Sequence, residues 1–143
     1  MTPLWRAVGV FSFVVCPIAL VAASVPPVGF AVSESEFVVG QSAVQGQATL
    51  FDGEVVQTFY LATRVNLKDG SRYILGIDSE GAVYTDHVSL RYGSAELSNK
   101  GRPARITASS LELAAEKPNS VATVYVSENK SVTVMVRSGT LSM

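Results

Sequence analysis

The sequence predicts an all-β domain built from repeated strand-turn-strand units, and three observations carry that expectation. First, apolar residues recur with period two rather than 3.6, as in Val65 and Leu67, Tyr73, Leu75 and Ile77, Val88 and Leu90, and Val132, Val134 and Val136. Second, one grammar (apolar, any, apolar, any, any, Gly) appears at Ala48 to Gly53, Val65 to Gly70, Val88 to Gly93 and Val134 to Gly139, with a further copy from Leu111 that ends in Glu116. Third, the turn positions 53, 70, 93, 116 and 139 are 17, 23, 23 and 23 residues apart. A fixed period of this size points to stacked repeats, so the favoured architecture is a solenoid-like β-roll of β-helix type; the alternative is an antiparallel β-sandwich in which each Gly closes a hairpin.

The chain of 143 residues has room for one domain with a real core. Residues 1–31 differ from the rest. Arg6 precedes an apolar run from Ala7 to Val15 that continues through Ile18 to Ala23, the pattern of an export signal helix. Small residues suited to a signal peptidase lie at Ala23 and Ala31. The competing expectation is an uncleaved membrane anchor, which Pro17, Pro26 and Pro27 disfavour because each removes a helical donor. Cys16, the only cysteine, lies in this segment, so a processed chain draws its stability from packing rather than disulfides.

Residues 32–47 are rich in Ser, Glu, Gln and Gly and read as a linker, with one apolar cluster at Phe37 to Val39 leading into the first strand. The β domain is expected over 48–143. In it, Gly53, Gly70, Gly93 and Gly139 are structural turns; Asp52 and Asp69 precede two of them and can bond local backbone donors. Leu111 to Leu113 is assigned to strand by its place in the repeat, although Ser109 to Lys117 has helical propensity. Ser127 to Lys130 separates the last two strands.

The formal charge is −1, and removal of the leading segment takes Arg6 and leaves 10 Lys+Arg against 12 Asp+Glu. That balance offers no electrostatic footprint for nucleic acid and no polybasic membrane patch. His87 is the only histidine. With no cysteine beyond the leader it cannot build the usual zinc sets, and a catalytic triad would need an Asp such as Asp78 or Asp69 brought to its ring by the fold. Asp78, Glu80 and Asp86 lack the spacing of a calcium loop. No catalytic residue, cofactor or metal is read from the sequence. Tyr73 and Tyr92, next to turn glycines, are expected nearest the surface, and Lys100, Arg102 and Arg105 form the densest positive cluster. Tyr92 and those three basic residues are the candidate partner-binding positions. The last strand is followed directly by Leu141 to Met143, which leaves self-association through an open edge as a further expectation.

The ordered series of turns resembles the extracytoplasmic domain of the FecR family, in particular its short exported members from environmental bacteria. The resemblance runs from Gly46 to the C-terminus. It rests on the strand before Asp69, Gly70 and Ser71, the strand that follows and ends in Ser79, and the strand Val88 to Leu90 leading to Gly93 and Ser94. Ala104 to Ile106, Ser120 to Val124 and the closing Val134, Val136 and Gly139 match the family's later strands. It implies a periplasmic or envelope location, a non-enzymatic domain that binds a protein or polysaccharide, and no catalytic residues. Family members of known role pass a periplasmic signal to a sigma factor through a cytoplasmic N-terminal region. Only Met1 to Arg6 precede the apolar run here, so the sensor half of such a system is the alternative rather than the leading expectation.

Overall fold

In a computed structural model that describes residues 24–100 and 102–143, the chain forms eleven strands. These are β1 (Gly29–Val39), β2 (Ser42–Leu50), β3 (Glu54–Gln57), β4 (Thr63–Leu67), β5 (Arg72–Leu75), β6 (Glu80–Val83), β7 (Val88–Ser98), β8 (Ala104–Ala108), β9 (Leu111–Ala115), β10 (Val121–Val126) and β11 (Val132–Ser138). No helix occurs among the described residues. The expected N-terminal signal helix or anchor lies, through residue 23, outside them.

Six strands close a ring of antiparallel pairings, β1–β3–β6–β7–β5–β4 and back to β1, forming a small barrel. Register shows how it closes. β2 runs along one edge of β1. β3 and β4 take the other edge in succession, with Val39 opposite Val56 and Gly29 opposite Leu67. β5 and β6 share one edge of β7 in the same way, with Leu75 opposite Ala95 and Val83 opposite Val88. Thus β3–β4 and β5–β6 are each one line of chain broken at a corner, and the 11-residue strands β1 and β7 bend to serve both halves. Their bends coincide with irregular register: a shift between Ser33 and Phe37 in β1, and Arg91 as the extra residue where Glu80 faces Tyr92 but Gly81 faces Leu90. Bulges of this kind let a strand pass from one sheet to the next.

The solenoid expectation is corrected by these pairings. The five repeated segments fall in β2, β4, β7, β9 and β11, and none of them is paired with another. A solenoid needs successive copies stacked in parallel; the one parallel pairing here is β7 with β8. The all-β class and the antiparallel pairing of the alternative hold, in a closed barrel with added strands. Residues 32–47 are not a linker: they belong to β1 and β2, joined by a turn at Gly40. The signal missed there was alternation, since Ala31, Ser33, Phe37 and Val39 are buried while polar residues between them face outward.

The core follows the period-two pattern. Phe37, Leu50, Val56, Val65, Tyr73, Leu75, Val83, Val88, Leu97, Ile106, Leu113 and Val124 are fully buried, each aliphatic side chain contributing about 1.5–3 kcal/mol. Leu111–Ala115 is indeed a strand, pairing with β8, so tertiary pairing overrides its helical propensity.

The four turn glycines have different jobs. Gly53 and Gly70 close the β2–β3 and β4–β5 connections, Gly93 lies inside β7, and Gly139 follows β11. Gly70 has φ +92° with open space beside its Cα, whereas Gly93 has φ +86° and a Cβ there would sit 2.6 Å from the Ser79 Cα. Gly139 is likewise pressed on Ser120, with 2.8 Å between such a Cβ and the Ser120 Cα.

Two predictions arise from this architecture. Gly70→Ala carries only the left-handed backbone cost, about 1–2 kcal/mol, while Gly93→Ala adds a backbone collision and destabilises clearly more; denaturant midpoints of the two variants give the order. Val28 donates to Leu50 O (2.8 Å) and accepts from Lys68 N (2.9 Å), and Gly29 to Ala31 pair on both edges. Of the two cleavage positions the sequence offers, one after Ala31 would remove these pairings and one after Ala23 would leave them. In thermal melts a chain beginning at Val32 should unfold well below one beginning at Ser24.

Candidate ligand-binding cleft at the strand corner

The site begins with the corner that the barrel requires. Where β3–β4, β5–β6 and β7 bend, ladder bonds are interrupted, and buried hydroxyls take their place. Thr58 N donates to Ser79 O (2.8 Å) and Ser79 N donates to Thr58 Oγ1 (3.0 Å), whose hydroxyl hydrogen-bonds Gly76 O. Ser79 Oγ accepts from Ser94 N (2.9 Å) and donates to Ile77 O (3.1 Å). Gly76 N donates to Ser94 O (2.8 Å). Thr58 and Ser79 are buried.

Drawing these polar groups inward turns the neighbouring apolar side chains out. Tyr60 is 83% exposed, Ile77 60% and Tyr125 50%, with Leu61 also exposed. Asp78 N donates to Phe59 O (3.1 Å), tying the 58–62 and 76–79 loops together. Beside them a cleft of about 440 Å³ is walled by Ile77, Asp78, Tyr92, Tyr125, Val126 and Glu128. Tyr92 also borders a second cleft of about 570 Å³, with Glu80, Arg91 and Lys130 on its far side. Gln57 Nε2 donates to the Tyr92 hydroxyl (3.0 Å), which fixes the ring between the two. The corner therefore presents aromatic and aliphatic faces with the carboxylates of Asp78 and Glu128 at their margin. Such a surface can take the apolar face of a sugar ring or an apolar side chain while accepting hydrogen bonds from hydroxyl or amide groups.

The four sequence candidates do not come together. Tyr92 stands at the corner. Lys100 and Arg102 are exposed in the connection after the opposite end of β7, and six residues of strand from Tyr92 to Ser98 span roughly 20 Å. Arg105 lies near the start of β7, since Ile106 faces Val88, and it is paired with Glu112 (3.3 Å) and Asp86 (3.8 Å). Ile77 was missed because alternation places it in a strand; the signal available was the adjacent run Phe59, Tyr60 and Leu61, which breaks period two where the strand itself breaks.

His87 stacks on Tyr84 with centroids 4.6 Å apart, and its Nδ1 lies 2.7 Å from Asp86 Oδ1. That hydrogen bond, with the charges of His87 and Arg105, holds the Asp86 carboxyl below its ordinary range. Among the described residues no hydrogen bond joins His87 to Asp69, Asp78 or a serine hydroxyl, and no group of three His, Cys, Asp or Glu could hold a metal ion. No protein-family model, no curated protein and no solved structure matches the chain.

Tyr73, expected near the surface, is fully buried. It faces inward from β5, and its hydroxyl donates to Arg105 O (2.7 Å) and accepts from Arg105 N (3.0 Å), pinning β8 to the barrel. Burial pushes its pKa up from 10.0 to about 12, against lowering by hydrogen bonds to Ser71 and Arg105. Because the folded value is raised, this phenol's contribution is fully present below pH 10 and is lost as pH rises from 10 to 12. The expected loss is about 2–3 kcal/mol across that window. Tyr73→Phe should start less stable at neutral pH, through the orphaned Arg105 backbone groups, and should lack that part of the alkaline decline in urea titrations.

Proposed function

We propose that this chain is an exported, non-enzymatic envelope module of FecR-like type that binds a polysaccharide or protein partner through the corner cleft around Tyr92. The observation that carries the reading is the cleft walled by the outward apolar and aromatic side chains Ile77, Tyr92 and Tyr125 and edged by Asp78 and Glu128, with exposed Tyr60 on the loop bonded to that of Asp78. Exposed apolar groups gathered at one place mark interaction surfaces, whereas scattered ones need no explanation. Burying their polar neighbours in the corner bonds gives the surface a rigid base, so a ligand meets side chains already in place. The leader's Arg6 and apolar run support export, and the cysteine-free remainder of the chain suits an envelope domain held by packing.

The test is capture from envelope extract and from purified peptidoglycan with the chain from Ser24 to Met143. Tyr92→Ala and Tyr125→Ala should each weaken retention at least about tenfold, as expected for aromatic anchors at an interface, while Lys100→Ala and Arg102→Ala leave it unchanged. Equal retention by the tyrosine variants and the unaltered chain would reject the corner as the binding surface.

A further inference from the structure

Among the described residues three strands pair on one edge only: β2, β9 and β11. An open edge is a template for another strand, and proteins blunt such edges with bulges, polar residues or covering chain. Two of the three are blunted. β2 is polar, carries Gly46 at φ +91° and faces the irregular stretch of β1. β9 is covered by the chain's own tail, with Ser142 N donating to Ala114 O and Ala114 N to Ser142 O, both 2.9 Å. β11 is the least protected: its one irregularity is a register shift at its C-terminal end, beside Arg137, and it contains no Pro, Gly or Lys and pairs regularly with β10 from Val132 to Val136.

Its side chains say what would cover it. Val132, Val134 and Val136 face Val126, Val124 and Ala122 of β10, all buried, and so lie on the core side of the sheet. Val132 and Val134 are only partly covered and Val136 is 47% exposed, because the sheet stops at β11. The missing neighbour must bring apolar residues at alternate positions. β11 itself has that pattern. An antiparallel copy centred on Met135 places Val134 opposite Val136 of the second chain and the reverse, and Thr133 opposite Arg137; the register shift at Arg137, which turns Ser138 to the face of Val121, ends the regular pairing there. The strand's one charge, Arg137, is held by Glu96 at 3.4 Å within its own chain and meets no like charge across the pair.

We propose that β11 pairs with β11 of a second copy to form a two-fold symmetric dimer in which Met135 faces itself. The contact is of one type on both chains, so it closes at two rather than growing into a fibre. Two seven-residue edges bury less than a standard stable interface, so association is reversible and depends on concentration. The two-fold axis stands perpendicular to the sheet, which puts both copies of the Tyr125 face on the same side. If the proposed corner cleft binds a repeating polymer, the dimer offers two sites to one strand of it; the dimer itself does not depend on what that cleft binds.

Self-pairing at residue 135 makes a specific test. Met135 is 62% exposed, so Met135→Lys and Met135→Asp should fold, which far-ultraviolet circular dichroism and melting temperature check. In sedimentation velocity the unaltered chain from Ser24 should shift from monomer to dimer with concentration. Each variant alone should need at least about tenfold more protein to dimerise, because like charges meet across the axis, and an equimolar mixture of the two should regain dimerisation. In the otherwise cysteine-free chain, Met135→Cys should form an interchain disulfide under mild oxidation. A chain still monomeric at about 1 mM, variants that dimerise like the original, or a mixture that stays monomeric would each overturn the proposal.

Discussion

The hydroxyl of Ser79 is the point on which this fold turns. A six-strand barrel this small closes only if neighbouring lines of chain bend together, and at the bend each loses its ladder partners. Leaving one buried donor or acceptor unpaired costs about 1–3 kcal/mol, and the corner would leave several. Ser79 and Thr58 supply the replacements: the Thr58 amide donates to Ser79 O, the Ser79 amide donates to Thr58 Oγ1, the Thr58 hydroxyl bonds back to Gly76 O, and Ser79 Oγ accepts from the amide after Gly93. Gly93 has no side chain because Ser79 occupies that space. The same set recurs further along. Asn99 N donates to Ser120 O (3.1 Å), the Asn99 amide donates to Ala115 O (2.7 Å), and Ser120 Oγ accepts from Thr140 N (3.3 Å) beneath Gly139. The barrel is held by one such clasp and the β10–β11 extension by the other.

That recurrence explains what the sequence could and could not reveal. The spacing between Gly93 and Gly139 reflects a real structural equivalence, each glycine lying over a buried serine and followed by a hydroxyl residue. Gly53 and Gly70 share the letters without the clasp, being ordinary turns with free space around them. A pattern of apolar alternation and Gly cannot separate these cases, because the distinguishing partner, Ser79 or Ser120, lies 14 or 19 residues away in the chain. Strands with clean alternation were legible: β4, β5, the first half of β7 and β11 fall where period two places them. β1 and β2 were obscured by outward Ser, Glu and Gln, which on a strand with one wet face are the expected complement of the buried Ala31, Phe37 and Val39. Closure itself was illegible, since it depends on which edge of β1 and β7 each short strand takes.

The same constraint shapes the functional surface. Polar side chains consumed inside the corner leave the apolar members of the loops with no interior to enter, and Tyr60, Leu61 and Ile77 are all exposed. Tyr92 was legible as a surface aromatic beside a glycine, but its companions were not, because they come from corners rather than strands. Lys100 and Arg102 are close in sequence to the tyrosine's strand and distant from its ring, which shows how an extended strand separates what a helix would bring together. At the other limit of the sheet, the valines of β11 face the core side but are only partly covered by the described residues.

The Thr58, Ser79 and Ser94 bonds belong to the cooperative core although they sit at a bend. Native-state hydrogen exchange at the amides of Ser79 and Ser94 tests that membership most directly. Both should exchange only through global unfolding, with the same free energy as the amides of the central β7 residues Ala95 and Leu97. Exchange at Ser79 and Ser94 through a low-energy local opening, with Ala95 and Leu97 still protected, would contradict it.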